Sequence, residues 1–169
     1  MRCIAESVPA PHPPESGAAE WPRAQLRPFE PRDIAPVTEI VSEALREHYD
    51  PSLYLNLSQQ WPEGFLVAVD PTNRPVGFLL GVIQVEREGR ILMFAVDRLH
   101  RTHGVGAMLM DAFLDRCRAR GLTRSTLEVR VSNAIALRFY TRFRYSVVDL
   151  LRGYYSDGEN GYQMARDLP

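Results

Sequence analysis

The chain of 169 residues contains no lysine, and arginine supplies all 20 of its basic side chains. That absence removes the Lys-Ser or Lys-Thr of a P-loop, and with it the usual cradle for a nucleoside triphosphate. Cysteine is nearly missing too. Cys3 falls in an N-terminal tail and Cys117 in a predicted helix, so no disulfide framework is available and a reducing cytoplasm is the simple expectation. No run of about 18 apolar residues exists and the N-terminus has no apolar signal core, so neither a membrane span nor a secretory leader is expected. Charge of one sign is also lacking: the formal net charge of -1 offers no global field to nucleic acid or an anionic membrane. The four histidines, His12, His48, His100 and His103, have no zinc-ligand spacing with one another or with cysteine, and no metal is expected.

What is present suits one globular domain with a real core, since 45% of the residues are apolar and 24% charged. Eight of the 13 prolines fall within the first 36 residues. Residues 1–23, rich in Pro, Ala, Glu and Ser, are therefore expected to be a disordered tail, with Trp21 as its anchor should it dock instead. The ordered domain is expected over 24–169. It opens with a strand at 25–29. Pro31-Arg32-Asp33 then starts a helix with Ile34, Val37, Ile40, Val41 and Leu45 on its buried face. A second helix is predicted at 52–60, and strands at 64–69 and 76–86. Glu88-Gly89-Arg90 is read as a turn into a central strand at 91–96, whose six consecutive apolar residues imply burial on both faces.

A helix over 104–120 carries Val105, Met108, Leu109, Ala112, Phe113 and Cys117 on one stripe and is followed by Gly121. The strand at 125–131 alternates, with Leu127, Val129 and Val131 on one face and Thr126, Glu128 and Arg130 on the other. Ser132 or Asn133 caps a helix running to 143. Strands at 145–151 and 161–166 flank a polar turn of Ser156, Asp157, Gly158 and Glu159. The sum is a mixed α/β sheet of about seven strands with about four helices on its two faces. An architecture does not state a function.

The junction of the central strand and the 104–120 helix does suggest one. It reads Arg101-Thr102-His103-Gly104-Val105-Gly106-Ala107. A helix N-terminus presents amides without intrahelical partners and a positive dipole end, and glycine allows a diphosphate close approach. A dinucleotide fingerprint would need Gly or Ala where Leu109 stands. The plain alternative is a strand-turn-helix with a capping glycine.

Arg-x-x-Gly-x-Gly-Ala resembles the acetyl-CoA pyrophosphate loop of the GNAT superfamily of N-acetyltransferases. Further stretches narrow the resemblance, which covers roughly residues 24–168. Leu127-Glu128-Val129-Arg130-Val131-Ser132-Asn133 with Ala136-Leu137-Arg138-Phe139-Tyr140 is similar to the strand-helix unit of acetyltransferases acting on N-terminal amines. Tyr154-Tyr155-Ser156-Asp157-Gly158-Glu159-Asn160-Gly161-Tyr162 resembles the Tyr-Tyr-x-Asp-Gly-Glu-Asp-Ala-Tyr signature of archaeal and eukaryotic NatA-type catalytic subunits. Bacterial ribosomal-protein alanine N-acetyltransferases share the strand-helix unit and a related Tyr-Tyr ending. Ala44-Leu45-Arg46-Glu47-His48-Tyr49 is similar to the family's Leu-Pro-Glu-Asn-Tyr turn, with Arg46 for proline and His48 for asparagine. Arg90 stands where some archaeal relatives carry a catalytic histidine, and Asn160 and Gly161 replace Asp and Ala.

The resemblance implies an α/β GNAT fold and direct transfer of acetyl from acetyl-CoA, without a metal, to the α-amino group of a protein or peptide N-terminus. Ser or Ala first residues and ribosomal or nascent chains are the expected substrates; an auxiliary subunit is compatible but not indicated. Glu128 is the candidate base, its alternative being a sheet carboxylate paired with an arginine. Tyr140 is the candidate acid for the leaving thiolate, its alternative a core-facing partner of Leu137. In the superfamily a bulge splays the central strand and pantetheine lies in the gap, which implies contacts at Phe94, Ala95 and Val96. The diphosphate would rest on Arg101, Thr102, His103, Gly104, Val105, Gly106 and Ala107. Asn133 matches a residue that touches CoA in relatives, although an N-cap explains it equally. Leu45, Glu47, Tyr49, Tyr54, Tyr154 and Tyr155 would hold the substrate. Two rivals stay open at this level: an acetyltransferase for lysine side chains or small amines, and a non-catalytic acyl-CoA-binding module.

Overall fold

The computed structural model describes residues 4–7, 24–45 and 48–169, the first of these segments by its backbone alone. In chain order the elements are β1 (Ile4–Ser7), β2 (Gln25–Pro28), α1 (Ile34–Leu45), α2 (Pro51–Gln60), β3 (Phe65–Val69), β4 (Pro75–Val85), β5 (Glu88–Val96), α3 (Val105–Ala119), β6 (Arg124–Arg130), α4 (Ala134–Arg142), β7 (Ser146–Leu151) and β8 (Gly161–Asp167). Local chemistry sets the helix starts. Asp50 accepts from the Ser52 amide at 2.8 Å and Pro51 occupies the first helical position of α2. Asp33, closing the short 3₁₀ turn before α1, accepts from the Glu30 amide at 2.8 Å. Gly121, at φ +74°, ends α3 where a side chain would be strained.

The sheet runs β2-β3-β4-β5-β6-β8-β7, with β1 added beside β5. The β5–β6 and β1–β5 pairs are parallel and the others antiparallel. α1 and α2 cover one face through Val37, Val41, Tyr54 and Leu57; α3 and α4 cover the other through Leu109, Phe113, Cys117 and Phe139. The expected seven strands and four helices are all present, with β1 as an eighth strand.

Three details differ from the sequence reading. Met108 is 36% exposed, and Met110 and Leu114 are buried instead. α3 is turned that way because it sits almost on the sheet: a Cβ at Gly81 would collide with the Phe113 ring, and one at Gly89 would come within 2.8 Å of Cys117 Sγ. Glu88, Gly89 and Arg90 are not a turn but the start of β5, because parallel pairing with Arg124, Ser125 and Thr126 draws them into the sheet. The chain reverses at Arg87 instead, at φ +63°. Finally, Ile4–Ser7 lies within the tail expected to be disordered, yet forms a strand beside β5, with Ile4 opposite Met93 and Ser7 opposite Ala95. Trp21 and the remaining residues of the tail lie outside the described residues.

One irregularity positions everything that follows. Leu80 of β4 stands opposite Met93 and the next residue, Gly81, opposite Ile91, so Leu92 is an extra residue in β5. Such a bulge bends its strand. Leu92 and Met93 both join the α1/α2 core, while Ile91 and Phe94 join the α3/α4 core. β5 and β6 are paired only up to Arg90 and Thr126. Beyond that point they part, and the sheet has a fork.

Candidate active site

Alternation along β6 sends Leu127 and Val129 into the α3/α4 core, so Glu128 faces the α1/α2 side, two residues past the last β5–β6 pair. The residue is 3% exposed, and a carboxylate so buried needs a partner. Arg90, the last paired residue of β5, provides it. Its Nε and Nη2 donate to Glu128 Oε2 at 3.1 and 2.9 Å. Nη2 also donates to the Tyr154 hydroxyl at 3.2 Å, and Nη1 to Gln84 Oε1 at 2.6 Å. Both bonds from Arg90 to the carboxylate fall on one oxygen, so Oε1 receives neither. Glu128 is thus a paired sheet carboxylate that still offers an oxygen at the fork.

The loop between β7 and β8 supplies Tyr154, and Arg130 at the end of β6 holds that loop. Its Nη1 donates to Asp157 Oδ2 at 2.7 Å and Glu159 Oε2 at 2.8 Å, and its guanidinium carbon lies 4.0 Å from the centroid of the Tyr155 ring. Hydrogen bonds from the Glu159 amide to Asp157 and from Ser132 to Glu159, together with Arg130, keep both carboxyls below the usual carboxylate range. The Asn160 side chain accepts from the Gly153 amide at 2.8 Å. Gly161 leaves room for the tyrosine pair, since a Cβ there would lie 3.3 Å from each ring. Tyr154 reaches the Arg90–Glu128 pair; Tyr155, 5% exposed, is packed within the loop itself.

Tyr140 is fully buried, edge-on to Phe139 at 5.5 Å and to Tyr145 at 6.0 Å between ring centroids. Its ring is therefore part of the core, as the structural alternative expects, and α4, which carries it, borders β1. Asn133 acts as the N-cap of α4, accepting from the Ala136 amide at 3.0 Å.

At the far end of β5, Asp97 caps a short 3₁₀ turn through the Leu99 amide at 2.8 Å. Arg101 Nε donates to the Val96 carbonyl at 2.9 Å. The half-buried guanidinium, its pKa drawn down by burial, thus ties the loop to the strand rather than standing in solvent. Thr102 (φ +68°) and Gly104 (φ +81°) turn the chain into α3, whose first intrahelical bond runs from Met108 to Gly104. The amides of Val105, Gly106 and Ala107 precede that bond, as an anion cradle requires.

Residues 34–145 match the model of the acetyltransferase (GNAT) family. The chain belongs to that family. An uncharacterized N-acetyltransferase of Methanocaldococcus jannaschii is 35% identical over 145 residues, 85% of this chain and 92% of the relative. The N-alpha-acetyltransferase daf-31 of Caenorhabditis elegans is 33% identical over 133 residues, 73% of this chain and 71% of the relative. The crystal structure of Ard1 from Thermoplasma volcanium superposes with a TM-score of 0.83 at 41% identity, covering 87% of this chain and 99% of that one.

As a GNAT acetyltransferase the protein takes acetyl-CoA as acyl donor. The donor set fits such a molecule: a fork wide enough to take an extended segment, leading to the glycine-containing helix start. Leu45 and Tyr54 are buried and Tyr49 half-buried in the α1/α2 core, on the face that Glu128 also uses. Burial pushes the Tyr54 phenol up. Glu47 lies outside the described residues. Among the described residues no group of three or more His, Cys, Asp and Glu side chains could hold a metal, and no helix is long and apolar enough to cross a membrane. Cys117 is a free thiol buried in the core, its pKa pushed up to about 12 by burial.

Two residues that hold this arrangement together, Arg130 and Arg90, were not among the expected site residues. Arg130 had a signal, because it shares the Glu128 face of an alternating strand and the signature brings two nearby carboxylates. Arg90 was singled out only as standing where some archaeal relatives carry a catalytic histidine; its pairing with Glu128 had no local signal, since that partner lies 38 residues away across a parallel strand pair.

Proposed function

We propose that this GNAT enzyme acetylates the α-amino group of a protein or peptide N-terminus by direct attack in a ternary complex. The observation that carries the reading is the buried Glu128 at the fork, with Oε2 held by Arg90 and Oε1 left for the incoming amine or an intervening water. An α-amino group has a pKa near ~8, so much of it arrives protonated at neutral pH and must lose a proton before it can attack. Glu128 accepts that proton. A new N–C bond forms and the C–S bond breaks; the thiolate takes a proton from the Tyr140 hydroxyl, and the surplus proton that the nitrogen sheds as it becomes an amide restores that hydroxyl.

A backbone N–H of the stretch Phe94, Ala95 and Val96 at the acyl end of the slot meets the negative charge that develops on the carbonyl oxygen. The diphosphate lies on Val105, Gly106 and Ala107, with Thr102, His103 and Gly104 shaping the loop and Arg101 bracing it. Asn133 contributes to this side through the start of α4. Leu45, Tyr49 and Tyr54 wall the pocket for the first residue. Tyr154 closes over the substrate backbone, and Tyr155 anchors its loop. A free chain end suits such a closed loop better than a lysine, which brings polypeptide on both sides. The relative from Caenorhabditis elegans bears an N-alpha-acetyltransferase name, which supports the same reading.

Ser- and Ala-type termini are the proposed substrates, on ribosomal or nascent chains in the cytoplasm. The test is free-CoA release over peptides of varied first residue, with one N-blocked lysine peptide included. Turnover is expected for the free α-amines. Turnover confined to the N-blocked peptide moves the reading to lysine acetylation, and CoA binding without thiol release moves it to a non-catalytic module.

A further inference from the structure

The fork that receives the acyl donor already holds a strand of this chain. β5 and β6 stop pairing at Arg90 and Thr126, and β1 runs parallel to β5 from there on, opposite Met93 to Ala95. β1 also borders β6, α1 and α4, so it lies inside the fork rather than on an outer edge. The physical reason is the backbone. Leu92 through Val96 are at most 1% exposed, and β4 satisfies only one side of them. The other side would present unpaired N–H and C=O groups away from water, which is costly unless another extended segment pairs with it.

We propose that residues 4–7 are a built-in competitor of acetyl-CoA: β1 fills the pantetheine slot when the donor is absent, and the donor binds by displacing it. The inference rests on the proposed placement of the donor along Phe94, Ala95 and Val96. A parallel strand and an extended pantetheine arm need the same backbone groups of β5, so the two states exclude each other. The apparent affinity for the donor is then reduced by the fraction of molecules in which β1 is docked. The fork is also kept from pairing with other chains while empty.

Hydrogen exchange on the full chain tests the displacement, with CoA itself as the probe. CoA is expected to slow exchange at Val105, Gly106 and Ala107 and to speed it at Ile4–Ser7. In parallel, the full-length double variant Ala5→Pro, Glu6→Pro removes two neighbouring strand N–H groups, which point to opposite sides, so the one facing β5 is lost whichever it is. Its Kd for CoA is expected to fall about 3–10-fold, the range in which a short docked strand holds most of the population. Its kcat at saturating acetyl-CoA is expected to stay unchanged. Slowed exchange at residues 105–107 with no change at 4–7, and an unchanged Kd in the variant, overturns the competitor while leaving the donor site standing. No response at either segment sinks the donor placement, and the competitor with it.

Discussion

Of the arginine–carboxylate pairs among the described residues, Arg27–Asp33 beside β2 and Arg90–Glu128 at the fork are nearly the same in burial. The side chains are 18% and 2% exposed in the first pair, 18% and 4% in the second. What separates them is where the hydrogen bonds go. Arg27 gives one N–H to each oxygen of Asp33, at 2.6 and 2.8 Å, and Asp33 Oδ2 also accepts from the Glu30 amide. The hydrogen bond to Asp33 raises the Arg27 pKa further. Both oxygens are used, and the pair fastens β2 to the start of α1. Arg90 instead sends two N–H groups to Oε2 of Glu128 and a contact onward to Tyr154. The closed pair has both carboxylate oxygens engaged, whereas the open one leaves Glu128 Oε1 facing the fork, which is what the proposed role as base requires.

The comparison can be broken from either side. Glu128→Gln should lower turnover by roughly 10²–10⁴-fold, about 3–5 kcal/mol in the barrier, with CoA affinity nearly intact. Unchanged steady-state turnover would make this pair as structural as the first. Asp33→Ala should do the reverse, costing about 3 kcal/mol in urea unfolding with activity per folded molecule unchanged. A large loss of kcat without a loss of stability would contradict the division. Arg90→Ala should lower kcat/KM about tenfold, ~1.4 kcal/mol, by freeing both Glu128 and Tyr154. Arg90→Lys should recover only part, since an ammonium cannot reproduce the planar guanidinium contacts; full recovery would mean that charge alone matters.

Acidification should give the smallest effect. Asp157 and Glu159 have lowered pKa values in the folded state, so their support of the Tyr154 loop is complete above the ordinary carboxylate pKa of about 4 and is lost as pH falls through the lower folded values. Faster amide exchange at Glu159 in that acid range is the expected readout. Exchange that follows global unfolding instead would remove the role of Arg130 in holding the loop.

The first pair was half legible in the chain. Pro31-Arg32-Asp33 announces a helix start, and Arg27 lies only six residues away, so local chemistry accounts for most of it. The second was not. Glu128 could be placed on the polar face of β6 by alternation, but Arg90 read as part of a turn, and only its parallel pairing beside Thr126 put it next to that face. The same holds for Met108, which helical periodicity alone could not orient against Gly81 and Gly89.

Periodicity, caps and the glycine-bearing turn before α3 are properties of neighbouring residues, and they determined the element order, the helix starts and the chemistry on offer. The bulge at Leu92, the fork beyond Arg90, the one-sided grip on Glu128 and the strand lodged at Met93 belong to tertiary structure. Each depends on register between segments far apart in the chain, where an extra residue in one strand changes which backbone groups find a partner. No local pattern encodes that count.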